Sequence, residues 1–193
     1  MLSSSALYLG FLGALTAERL VELGLSTRNA RRARERGGLE VGQAHYRAMV
    51  VIHGLFLFAC AAEVALLHRA FQPVVGTLAL TGAVAAQALR YWAIATLGEA
   101  WNTRIIVVPG TPPVVAGPYR YLRHPNYVAV GLELLCVPLV HGAYLTAAVF
   151  SVANVLLLAV RIPAEERALG AAYAQAFLDK PRFLPELNRG HSH

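Results

Sequence analysis

Two short segments hold the residues best equipped for chemistry. The first runs from Trp101 to Tyr127 and closes with Gly117-Pro118-Tyr119-Arg120-Tyr121-Leu122-Arg123-His124-Pro125-Asn126-Tyr127. Pro109-Gly110 and Pro112-Pro113 forbid regular helix, so this is a rigid, punctuated loop in which Ile105–Val108 reads as a short extended piece. Tyr119, Arg123, His124, Asn126 and Tyr127 bring ring faces, a guanidinium, an imidazole and an amide together, the makings of a polar-ligand site. His124 alone also reads as a helix-start histidine satisfied by backbone. The second segment is Arg161-Ile162-Pro163-Ala164-Glu165-Glu166-Arg167-Ala168-Leu169, continuing to Phe177. Pro163 suits the first turn of a new helix, which puts Glu165 and Glu166 where a helix dipole favours carboxylates. Leu169, Tyr173 and Phe177 recur every four residues as an apolar docking stripe. Taken alone, this segment also reads as an ordinary amphipathic interfacial helix.

The elements that must position these segments are apolar. Of the 193 residues 56% are hydrophobic and 15% charged, more apolar surface than one water-soluble core can bury. Five apolar stretches are predicted as helices, at about 6–25, 48–67, 74–95, 127–140 and 143–160. The last two are short and separated only by His141-Gly142, which predicts a tight helical hairpin. The first has no basic region or small-residue cleavage site before it and is read as a retained span, not a signal peptide. The expected fold is therefore an all-α integral membrane bundle of about five helices, one domain over residues 1–193.

Orientation follows from the arginines. Arg28, Arg31, Arg32, Arg34, Arg36 and Arg47 follow the first stretch; Arg104, Arg120 and Arg123 follow the third; Arg161, Arg167, Lys180, Arg182 and Arg189 follow the last. The opposite connections offer only Arg69. The positive-inside bias then predicts an N-terminus outside and a C-terminus in the cytoplasm of a multi-pass cell-membrane protein. Attraction to anionic membrane lipids accounts for the net charge of +6, and no nucleic-acid-binding module is present in the sequence. Glu18, Arg19, Glu22, Glu63 and Glu133 fall inside apolar stretches, where charge marks a functional interior, pairing between helices or placement near the membrane boundary. Cys60 and Cys136 read as buried thiols, and no histidine spacing predicts a metal site; His191 and His193 read as a tail.

Together the two segments resemble the isoprenylcysteine carboxyl methyltransferase family. The resemblance rests on Gly-Pro-Tyr-Arg-Tyr-Leu-Arg-His-Pro-Asn-Tyr (117–127) before a short hairpin and Arg-x-x-x-Glu-Glu-x-x-Leu (161–169) after it. It covers about residues 97–177, and the part expected to bind cofactor is about 97–180. It implies a multi-span membrane enzyme that uses S-adenosyl-L-methionine, with a cofactor pocket lined by Thr111, Pro112, Pro113, Val114, Tyr119, His124, Pro125, Asn126, Tyr127 and Glu165. It implies that Arg161 binds the methyl acceptor and, with Glu165, does the catalytic work. Carboxylate and aromatic faces suit a sulfonium cation. Methyl transfer itself requires alignment and exclusion of water, with no base if the acceptor is already an anion. The Arg-rich first connection, with Gly37-Gly38-Leu39-Glu40-Val41-Gly42 and His45-Tyr46, is similar to a bacterial branch that methylates hydroxyls of long-chain alkylpyrones or alkylresorcinols. That favours a lipophilic hydroxyl acceptor over a prenylcysteine carboxylate.

Two departures stand out. Pro163 lies between Arg161 and Glu165, where a kink would separate side chains four residues apart. The family's Phe-Gly-x-x-Tyr after the Glu-Glu pair is matched only loosely between Leu169 and Phe177. Two alternatives of other classes remain open on sequence: an NADPH-dependent membrane reductase of the sterol or steroid type, and a non-catalytic membrane scaffold.

Overall fold

The computed structural model describes residues 3–183, so Arg189, His191 and His193 lie outside the described residues. Five α-helices appear, one for each predicted apolar stretch: α1 (Ser4–Glu35), α2 (Gln43–Leu66), α3 (Pro73–Leu97), α4 (Pro125–Leu139) and α5 (Tyr144–Ala176). The first is longer than expected. It runs ten residues past Leu25 because Ser26, Asn29, Ala30 and Ala33 keep a buried face while the arginines point outward. Ser3 caps it through a side-chain hydrogen bond from the Ala6 amide.

The predicted extended piece is present as a strand, β2 (Ile105–Val107), paired antiparallel with β1 (Leu39–Val41). This ribbon ties the connection after α1 to the connection after α3. At the opposite end, the Ser4 hydroxyl meets Nε2 of buried His141 at 3.2 Å. There too Glu63 receives the Leu145 and Thr146 amides at 3.1 and 2.7 Å, together with Arg69 at 2.8 Å. Glu63 thus satisfies free amides at the start of α5 from another helix, a structural task.

Burial runs opposite to that of a water-soluble bundle. Leu20, Val21, Phe58, Val74, Leu78, Leu145 and Leu156 are exposed, whereas Glu22, Glu63, Arg90, His124, Asn154 and Arg161 are buried. The apolar core is a layer of Tyr8, Leu12, Phe56, Cys60, Leu134 and Val137. Both cysteines are free. Among the described residues, two helical segments, Tyr46–Leu66 and Tyr144–Ala176, are long and apolar enough to cross a membrane. The others fall short for visible reasons: α4 has only 15 residues, and α1 and α3 carry the interior charges.

Those charges are paired. Arg90 binds Glu22 at 2.6 Å and Arg19 binds Glu22 at 2.7 Å and Glu133 at 3.0 Å. Gln87 joins by accepting from Arg19 and donating to Glu18. Of the roles open to these residues on sequence, pairing between α1, α3 and α4 is what the contacts display.

The second segment does not begin a new helix. α5 continues from Tyr144 through Pro163, and its backbone breaks only at Gly170 (φ 74°, ψ −164°). Helical backbone already supplies the φ that proline requires, so the φ/ψ stay helical through Pro163 even though it removes one amide donor. Glu165 and Glu166 therefore sit deep within a helix, and side-chain partners, not a helix N-terminus, hold them.

Candidate functional site

Tyr127 is the centre of the site. It lies in the first turn of α4, which starts at Pro125 with His124 at the cap position. Its hydroxyl accepts from Nε of Arg161 at 2.8 Å and donates to Oε2 of Glu165. The expected separation of Arg161 and Glu165 is therefore corrected: with the helix unbroken at Pro163, their four-residue spacing puts both on the face toward α4. Arg161 also donates through Nη2 to the Thr103 carbonyl at 2.7 Å. Thr103 is held by Ser26 of α1 at 2.8 Å, so helix, loop and hairpin all fix one guanidinium.

Beside this lies a second set. His124 stacks on Tyr127 with ring centres 5.4 Å apart and meets Glu166 through Nε2 at 3.0 Å. Glu166 is gripped by Arg182, whose Nε and Nη2 reach it at 3.0 and 2.5 Å. That hydrogen bond raises the pKa of Arg182 above its ordinary value. The apolar stripe docks as predicted: Tyr173 and Phe177 pack with Ala93 and Tyr119, and Leu169 borders them. Burial pushes the Tyr119 phenol up, and the charge of Glu165 pushes it further. Gly117 starts the turn that presents Tyr119. Its φ is +52° and a Cβ there would strike Thr96 and approach the Trp92 indole nitrogen at 3.1 Å, so no other residue fits without strain.

The structure brings together Tyr119, His124, Pro125, Asn126, Tyr127, Arg161 and Glu165. Thr111, Pro112, Pro113 and Val114 are exposed or half-buried in the loop after β2, and no hydrogen bond among the described residues ties their side chains to that cluster. Sequence reasoning did not foresee Thr103, Ser26 or Arg182. Thr103 acts through a backbone carbonyl, which side-chain type cannot signal; Ser26 and Arg182 become partners only through the fold. Glu166 was legible in the Glu-Glu pair, but its histidine partner was not.

Among the described residues, Nη1 of Arg161 and, in the residue before Tyr127, Oδ1 of Asn126 are buried without a partner. An unsatisfied buried donor and acceptor normally find a ligand or water. Arg161 offers its free N–H to an anionic or hydroxylic oxygen, and Glu165 with the rings of Tyr119, Tyr127 and Tyr173 offers a cation a carboxylate and π-faces. These residues fit an organic cation bound next to an oxygen nucleophile.

The Isoprenylcysteine carboxyl methyltransferase (ICMT) family profile matches residues 77–171, which include Tyr119, His124, Asn126, Tyr127, Arg161 and Glu165. The uncharacterized protein YpbQ of Bacillus subtilis (strain 168) is 40% identical over 80% of this chain and 92% of its own length. An uncharacterized protein of Haemophilus influenzae (strain ATCC 51907 / DSM 11121 / KW20 / Rd) is 27% identical over 84% of this chain and 94% of its own length. The chain belongs to the isoprenylcysteine carboxyl methyltransferase family. Family and apolar helices together make it a membrane methyltransferase.

Proposed function

We propose that the protein is a multi-pass S-adenosyl-L-methionine-dependent O-methyltransferase acting on a lipid-like acceptor at the cytoplasmic face of the cell membrane. The observation that carries this is the Tyr127 hydroxyl joining Arg161 to Glu165 while Nη1 of Arg161 stays unpartnered. When bound, S-adenosyl-L-methionine supplies an electrophilic methyl group on a sulfonium centre. Glu165 and the rings of Tyr119, Tyr127 and Tyr173 would hold the cation, and Oδ1 of Asn126 would accept from one of its polar groups. Arg161 orients the acceptor oxygen by a charge-assisted hydrogen bond, and Tyr127 keeps that guanidinium from collapsing onto Glu165. No side chain in the cluster is required as a base if the acceptor is an acidic enol or a carboxylate; a neutral phenol would need one. Thr111, Pro112, Pro113 and Val114 form the outer rim in this reading.

The acceptor is a hydroxyl of a long-chain alkylpyrone or phenolic lipid, in preference to a prenylcysteine-type carboxylate. The cytoplasmic placement rests on charge: the β1–β2 end of the bundle gathers Arg28, Arg31, Arg32, Arg34, Arg36, Arg47 and Arg104, while the His141 end has Arg69. The test is transfer of isotopically labelled methyl from S-adenosyl-L-methionine in detergent micelles, with an alkylpyrone and a farnesylcysteine analogue as separate acceptors. Label in the alkylpyrone that disappears in Arg161→Ala supports the full reading. Label only in the farnesylcysteine analogue keeps the methyltransferase and replaces the acceptor. Label in neither, from folded protein, counts against it.

A further inference from the structure

The chain after α5 turns back and binds across the start of α4. The Arg123 and His124 amides donate to the Pro181 and Arg182 carbonyls at 3.0 and 3.2 Å. The Arg123 side chain grips the same stretch, with Nε 2.6 Å from the Lys180 carbonyl and Nη2 3.4 Å from that of Leu178. The strap thus carries the Arg182 side chain to Glu166, where Oε1 accepts from Arg182 and also meets Nε2 of His124. A carboxylate can only accept in this arrangement, so Nε2 of His124 carries the hydrogen. Because Arg182 grips both oxygens of Glu166, the imidazole faces a balanced pair, not a bare carboxylate. The other charged or titratable neighbours of the ring are Tyr127, stacked on it, Tyr173, 6.3 Å away, and Arg123, held by the strap. Nδ1 has no hydrogen bond among the described residues.

We propose that Arg182 is a positioning residue: through Glu166 it fixes His124 as the Nε2–H tautomer, which leaves Nδ1 as a hydrogen-bond acceptor for the bound cofactor. This rests on the methyltransferase reading for the identity of the ligand, but not for the state of the ring. A ring already fixed in this way costs less to orient when ligand arrives than a free ring, which must lose rotamer and tautomer freedom.

The experiment uses full-length protein in detergent, labelled with 15N-histidine. The nitrogen shifts of His124, assigned with His124→Gln, are read without ligand, and S-adenosylhomocysteine binding is then measured by calorimetry. Wild type is expected to show protonated Nε2 and bare Nδ1. Arg182→Ala frees the Glu166 carboxylate to turn away from the ring, and is expected to mix the tautomers and weaken binding by up to about tenfold, the worth of the one hydrogen bond that Nδ1 accepts. Arg182→Lys should recover part of both, and it serves as the test if the alanine variant does not fold. A wild-type ring protonated at Nδ1, or tautomer and affinity unchanged in the Arg182 variants, overturns the proposal. Failure of wild type to bind S-adenosylhomocysteine with the Nε2–H signature intact instead overturns the methyltransferase reading and retains the positioning of His124.

Discussion

Between Arg161 and Glu165 stands one phenolic oxygen, and that oxygen explains how a buried cation and a carboxylate stay apart yet ready for ligands. Arg161 makes two directed bonds and keeps a third donor, a division that the planar guanidinium permits and a lysine ammonium does not. Arg161→Lys is therefore expected to lower kcat/KM for the acceptor by at least about tenfold, one lost charge-assisted hydrogen bond, with cofactor affinity nearly unchanged. Steady-state kinetics with calorimetry separate the two. Away from the site, Glu40 bridges Arg34 at 2.6 Å and Arg104 at 2.7 Å. Burial opposes its charge, but the hydrogen bonds from those arginines, then their charges, hold its carboxyl below the ordinary range. A carboxyl depressed on folding stabilises the protein above its unfolded pKa, and that contribution is lost as pH falls through the folded value. The melting-temperature gap between wild type and Glu40→Gln should hold at neutral pH and close in acid. At this scale the sequence displayed residues with chemistry in their side chains, His124, Tyr127, Arg161 and Glu165; it did not display contributions made through a carbonyl, such as that of Thr103.

Secondary structure was legible where pattern alone determines it. The five apolar stretches became five helices, and Ile105–Val107 became a strand, because apolar length and β-branched residues act locally. Pro163 was misread as a helix start, since the local preference of proline for a first turn says nothing about a helix already running into it. Gly170, with φ at 74°, is where the backbone departs instead. This difference gives opposite expectations for two alanine substitutions. Pro163→Ala restores an amide donor inside a continuous helix and should leave thermal stability unchanged or raise it. Gly170→Ala forces a side chain into a backbone region essentially reserved for glycine and should cost about 1–3 kcal/mol. Thermal unfolding in detergent, followed by circular dichroism, checks both.

Across the whole molecule, the charges within the bundle hold α1, α3 and α4 together, and this could not be read from sequence because the partners lie far apart in the chain. Arg90 and Glu22 are separated by 68 positions yet form two hydrogen bonds in the interior. Removing Arg90 leaves Glu22 with Arg19 alone, so Arg90→Ala is expected to cost up to about 3–5 kcal/mol, and the double replacement of Arg90 and Glu22 by apolar residues less. Unfolding of the single and double variants under identical detergent conditions gives that comparison. The same bundle brings the connections after α1 and α3 to one end and sets the start of α4 and the Arg161 part of α5 beside them, which is how distant segments build one site. The measurement that tests the account most directly is calorimetric titration of S-adenosylhomocysteine into the detergent-purified protein, with NADPH as comparison and Glu165→Gln and Tyr127→Phe as variants. The account predicts saturable binding of S-adenosylhomocysteine alone, weakened in both variants. Binding of NADPH instead, or of neither ligand by folded wild-type protein, would contradict it.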